Sequence, residues 1–149
     1  LDSLSEDELL DVVGRECGRI QNGHVPFYTA LYYLQHAKNT LVRWAVRPAT
    51  LTLQAWSRRA DVTADRAGLL CARDLDVSLS GLAKTASGGA DSREVSRRQR
   101  ALGRFADSTY YRTVIGRDSE DGESTEECDA AVALILDDRE PASSSQASD

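Results

Sequence analysis

Apolar side chains in this chain return every three or four residues along most of its length, and no segment makes a convincing strand, a rhythm that points to a fold of packed helices. Each run carries its own start and stop signals. Ser5 with Glu8 three residues on is a capping box, after which Leu9, Val12, Val13, Glu16, Cys17 and Ile20 keep helical spacing until Asn22-Gly23. A second helix is expected from Pro26 to the residue before Pro48, through Phe27, Leu31, Tyr32, Leu34, Leu41 and Trp44. A third, from Thr50 to Arg73, sets Leu53, Trp56, Ala60, Ala64, Ala67, Leu70 and Cys71 on one broad face. A shorter helix covers Val77 to Thr85 and stops at Gly88-Gly89, and a basic one runs from Asp91 to Phe105.

A length of 149 residues with 41% hydrophobic content fits one domain with a real core. The net charge of −6 is unevenly spread, because residues 117–149 hold eleven acids against two bases. That stretch alone is −9, leaving +3 on residues 1–116. Rich in Ser, Asp and Glu and running into Pro141-Ala-Ser-Ser-Ser, it buries too little apolar surface to offset its chain entropy. The expected organisation is therefore a helical body, 1–116, and an acidic, mostly disordered tail, 117–149. Ser124 and Glu127 form a second capping box before the apolar run Cys128 to Leu136, so a short helix over 126–137 is expected, docked on the body or on a partner.

The body's small positive charge argues against nucleic acid as a partner, and the arginines from Arg93 to Arg104 have no interleaved aromatics. The most apolar stretch, Val25 to Val46, contains Gln35, His36, Lys38, Asn39 and Arg43, too much polarity for a membrane span. Cys17, Cys71 and Cys128 are odd in number and widely spaced, which suits free thiols in a reducing, intracellular (cytoplasmic) setting. With Leu1 first and no methionine anywhere, the chain is expected to be an excerpt of a longer product.

Two segments carry chemistry. Val12-Val13-Gly14-Arg15-Glu16-Cys17-Gly18-Arg19-Ile20-Gln21-Asn22-Gly23-His24 resembles a zincin helix whose His-Glu-x-x-His motif has become Arg-Glu-x-x-Arg. In such a motif two imidazoles one helical turn apart bind zinc and the glutamate activates the metal-bound water. Trp56-Ser-Arg-Arg-Ala-Asp61-Val-Thr-Ala-Asp65-Arg-Ala-Gly-Leu-Leu-Cys71 resembles the second signature of metallopeptidase family 48, which includes HtpX-like and CAAX-prenyl-protease-like enzymes.

The resemblance covers about Glu8 to Asp74, with signature helices at about 5–22 and 50–73. It implies a mainly α chain, the helical part of a zincin-like domain whose upstream β-sheet is missing here. It implies zinc as the cofactor, peptide-bond hydrolysis as the activity and a peptide or protein substrate, with full-length relatives that can be membrane-associated. Arg15 and Arg19 stand at the histidine ligand positions, Asp61 at the third ligand, a glutamate in the family, Glu16 at the general base, and Asp65 at the aspartate that orients a ligand histidine.

The departures decide what such a chain can do. Guanidinium groups stay protonated and only donate hydrogen bonds, so Arg15 and Arg19 are no zinc ligands, and Asp61 alone makes no catalytic site. The expected result is a pseudopeptidase that binds no metal, or a noncatalytic scaffold in which Arg15 and Arg19 pair with Glu16, Asp61 and Asp65. The plainer alternative for both arginines is a solvated helix face. Glu16 is expected as an ion-pair partner rather than a surviving base, Asp65 as a structural acceptor, and Phe27, Tyr28, Tyr32 and Tyr33 as core packing. His24 and His36 lack ligand spacing to any cysteine or second histidine, and are expected at a helix end and in a half-buried position.

Overall fold

The Ser5 hydroxyl accepts the Glu8 N–H at 3.2 Å while the Glu8 carboxylate takes the Ser5 N–H at 2.8 Å, so the first helix begins at its capping box. The computed structural model describes residues 3–36, 38–86, 91–118 and 120–137. These form α1 (Glu6–Gln21), α2 (Val25–Gln35), α3 (Thr40–Ala72), α4 (Leu75–Ala86), α5 (Ser92–Ala106), α6 (Thr109–Val114) and α7 (Thr125–Leu136). The chain is mainly α, and the described residues contain no strand, only an isolated bridge between Ser108 and Glu123. Among them no helix is long and apolar enough to cross a membrane.

The helix boundary expected at Pro48 is corrected. α2 ends at Gln35, Asn39 opens α3 by accepting the Leu41 N–H at 2.9 Å, and α3 runs through Pro48 as one helix of 33 residues. Proline there removes a single donor, the one that would reach the Trp44 carbonyl, and the surrounding turn is exposed, so water can serve that carbonyl. The C-terminal part of α3 supplies what the proline turn does not, a long contact with α1. Arg73 then ends α3 in the left-handed conformation, φ 58°.

The second signature thus lies in the latter half of α3, and the first lies in α1. These two helices meet through small residues. A Cβ on Gly14 would stand 2.7 Å from Cys71 Sγ, and one on Gly18 would stand 2.7 Å from Ala67 Cβ. Close approach turns α1 inside out relative to its hydropathy: Glu8, Asp11, Gly14, Arg15 and Gly18 are buried, while Leu9, Leu10, Val13 and Ile20 are exposed.

The apolar core lies against the same C-terminal half of α3. Val62 and Leu69 pack with Ala101, Leu102 and Phe105 of α5, Tyr111 of α6, and Cys128, Val132 and Leu136 of α7. The body–tail division at 116/117 therefore cuts through this core. α7 is the short helix expected over 126–137, and it docks on the body because its apolar run finds an apolar partner face on α5. Residues 138–149, the rest of the expected tail, and Gly88-Gly89 lie outside the described residues.

Candidate functional site

Arg15 and Arg19 are one turn apart on the face of α1 that meets α3, and each finds a carboxylate there. Arg19 Nη1 donates to Asp61 Oδ1 at 2.8 Å, and its Nε lies 3.3 Å from Glu16. Arg15 Nη2 is 2.9 Å from Asp11 Oδ2 and Nη1 is 4.0 Å from Asp65 Oδ1, with Thr85 Oγ1 of α4 accepting at 3.3 Å. Arg15 is buried, so a freely solvated face does not describe it. Glu16 is different: its side chain is 63% exposed and touches the cluster only through Arg19.

Two participants come from elements that sequence reasoning did not connect to this site. Arg98 of α5 grips Asp65 with both prongs, Nε to Oδ2 at 2.8 Å and Nη2 to Oδ1 at 2.6 Å. Tyr28 of α2 donates its hydroxyl to Asp61 Oδ1 at 2.8 Å, and its ring lies under the Arg19 guanidinium, 5.2 Å from the centroid. The only signal for Arg98 was its place on the basic helix α5, where it is one arginine among many. Asp11 carried no signal beyond an acid at i, i−4 from Arg15.

Burial pushes Asp65 above the usual carboxylate range despite Arg98, and does the same to Asp11 despite Arg15. The Arg15 charge 2.9 Å away and the Ser78 hydroxyl both oppose that rise at Asp11. Burial works against the Arg98 charge, but Asp65 more than restores it and its pKa rises. Tyr28 is pushed up to about 12 by burial and by the Asp61 carboxylate, so its hydroxyl stays a donor.

A cleft of about 390 Å³ opens over this cluster, lined by Val12, Arg15, Glu16, Arg19, Thr85, Ala86 and Arg98. Its chemistry does not fit zinc. Three lining positions, Arg15, Arg19 and Arg98, are guanidinium groups, and Asp61 Oδ1 already accepts from Arg19 and Tyr28. Among the described residues no group of three His, Cys, Asp or Glu side chains is arranged to hold a metal ion.

The other sequence-selected residues divide. His24 is buried at the start of α2 with its ring edge-on to Trp56, centroids 5.2 Å apart, and Phe27 and Tyr28 border the same indole. His36 is exposed and stacks on Tyr32, and Tyr32 and Tyr33 are exposed too. The expectation that Phe27, Tyr32 and Tyr33 pack in the core, and that His36 is half-buried, is corrected: Phe27 leans on Trp56 but is 48% exposed, and of the described residues of α2 only Leu31 is buried. All three cysteines are free, Cys17 and Cys71 exposed and Cys128 buried. Compared with protein-family models, curated proteins and solved structures, the chain matches none.

Proposed function

We propose that this chain is a non-cleaving relative of the zincin-type metallopeptidases of family 48, a pseudopeptidase that binds peptide or protein without hydrolysing it. One observation carries the reading: α1 and α3 bring positions 15, 19, 61 and 65 into one cluster, Arg19 to Asp61 at 2.8 Å and Arg15 to Asp65 at 4.0 Å. Those are the positions at which the resemblance puts two ligand histidines, a ligand glutamate and an orienting aspartate. Charge pairing takes over the task of joining the helices, and the remaining cleft offers guanidinium donors to a partner's carbonyl or carboxylate groups. Glu16 holds Arg19 and has no metal-bound water to deprotonate. An intracellular setting belongs to the same reading and rests on the free thiols.

A noncatalytic scaffold without peptidase ancestry is the second reading. It is favoured by Arg98, which comes from outside both signature helices and makes the tightest grip in the cluster. Metal analysis of the purified chain, with peptide cleavage assayed with and without chelator, tests what both readings share. Each expects no stoichiometric zinc and no chelator-sensitive cleavage, and a zinc content near one per chain overturns both. The triple variant Arg15→His, Arg19→His, Asp61→Glu separates them: regained zinc supports the peptidase scaffold, and an inert, folded variant leaves only the noncatalytic one.

A further inference from the structure

Between Val25 and Arg59 the described side chains include one buried residue, Leu31, although the segment is among the most apolar in the chain. On α3 the exposed residues Leu41, Trp44, Pro48, Leu51 and Ala55 follow one another at three- and four-residue steps. That spacing confines them to roughly a quarter of the helix circumference over ~21 Å. Leu41 and Trp44 are each 77% exposed and Leu51 57%, values for side chains that none of the described residues covers.

The charges around the stripe select its occupant. In a chain of net charge −6, the forty residues from Gln21 to Ala60 contain no acid and five bases, Lys38, Arg43, Arg47, Arg58 and Arg59. Arg47 is exposed beside the stripe, and Arg59 is exposed just beyond its end. A helix–helix seam with a second copy has the right spacing but needs opposite charges on its flanks, and this segment brings only cations. The chain's own acidic residues 138–149 supply charge but no large apolar group to cover Trp44 or Leu41.

An amphipathic helix with Trp and Leu on one face, basic residues beside them and no acid is what lies in the plane of an anionic lipid surface, with apolar groups at the acyl boundary and cations at the phosphates. We propose that the N-terminal half of α3 docks on anionic membranes in this way. The surface is separate from the cleft over Arg15 and Arg19, and the proposal stands or falls independently of the peptidase reading.

Flotation of the full chain with phosphatidylcholine vesicles, with and without phosphatidylserine, tests it. Binding is expected on the serine-containing vesicles, weakening with salt, accompanied by a blue shift of Trp44 emission read in a Trp56→Phe background. Leu41→Gln with Trp44→Gln abolishes it, and Arg47→Glu with Arg59→Glu lowers partition by about tenfold or more. Unchanged circular dichroism of these surface variants shows that the fold is intact. No binding to either vesicle overturns the proposal, as does binding that the substitutions leave unaltered. A concentration-dependent dimer that Leu41→Gln with Trp44→Gln dissolves, without vesicle binding, overturns it in favour of a second copy.

Discussion

α3 is one continuous helix with two opposite environments. From Ala60 to Leu69 it buries Ala60, Val62, Ala64, Asp65, Gly68 and Leu69, a set that includes a carboxylate, whereas from Leu41 to Arg59 none of its described side chains is buried, Trp44 and Leu51 included. Hydropathy alone would reverse part of that assignment. What decides it is the neighbour: α1 offers Gly14 and Gly18 for close approach and Arg15 and Arg19 for charge, so the half of α3 facing it is selected for small residues and carboxylates.

The comparison breaks most severely at Asp65. Asp65→Ala leaves the half-buried Arg98 without the carboxylate it grips and takes a compensating charge away from the buried Arg15, and a loss of about 3–5 kcal/mol in urea unfolding is expected. Replacing Asp65 and Arg98 together by leucine and methionine removes both charges, and most of that loss should be recovered. A single variant within 1 kcal/mol of the parent shows that the cluster does not hold the helices together.

How much of this was legible follows the same division. Both capping boxes and the pairing candidates Arg15, Arg19, Asp61 and Asp65 were readable because each depends on residue type and spacing within a few turns. Arg98 and Asp11 were not, since their roles depend on which faces of α1, α3 and α5 converge, and no local pattern encodes that. The short helix of the tail was legible for the same local reason, from its capping box and apolar run, but its partners were not: Cys128, Val132 and Leu136 of α7 answer to Leu102 and Phe105, faces that no local pattern pairs. Pro48 misled because its steric rule is strong, yet a single missing donor on an exposed turn costs less than breaking a 33-residue helix.

Glycine contacts give the next largest effect. Gly18→Leu forces a side chain into the 2.7 Å gap to Ala67 and should cost about 1–3 kcal/mol, measured as a fall in melting temperature. Gly103 on α5 meets nothing within 4 Å of an added Cβ, so Gly103→Ala should raise stability by about 0.5–1 kcal/mol. Equal effects at the two positions would remove close approach as the reason α1 turns its charged side inward.

The acid limb of stability separates two kinds of buried carboxylate. Glu8 accepts from Lys84 at 2.7 Å, Ser80 at 2.6 Å and the Ser5 N–H at 2.8 Å, and these bonds lower its pKa from 4.5 to about 2. A carboxylate with a depressed folded pKa stabilises above its unfolded pKa and loses that contribution as pH falls through the folded one. Asp11 and Asp65, raised by burial, take up protons earlier in the fold and push the other way. Glu8→Gln should therefore lower stability at neutral pH and flatten the decline between pH 4.5 and about 2 in pH-dependent urea titrations. An unchanged acid slope contradicts the assignment to Glu8.

The smallest effect is expected on the exposed half of α3, and the smallness is the point. Leu69→Ala, at a fully buried position, should cost about 2–5 kcal/mol, whereas Leu41→Ala, 77% exposed, should stay within about 0.5 kcal/mol of the parent in the same urea titration. Identical residue types on one helix then report opposite environments. A cost at Leu41 close to that at Leu69 means that this stripe is already covered in the isolated chain, and removes it as a surface available to a membrane.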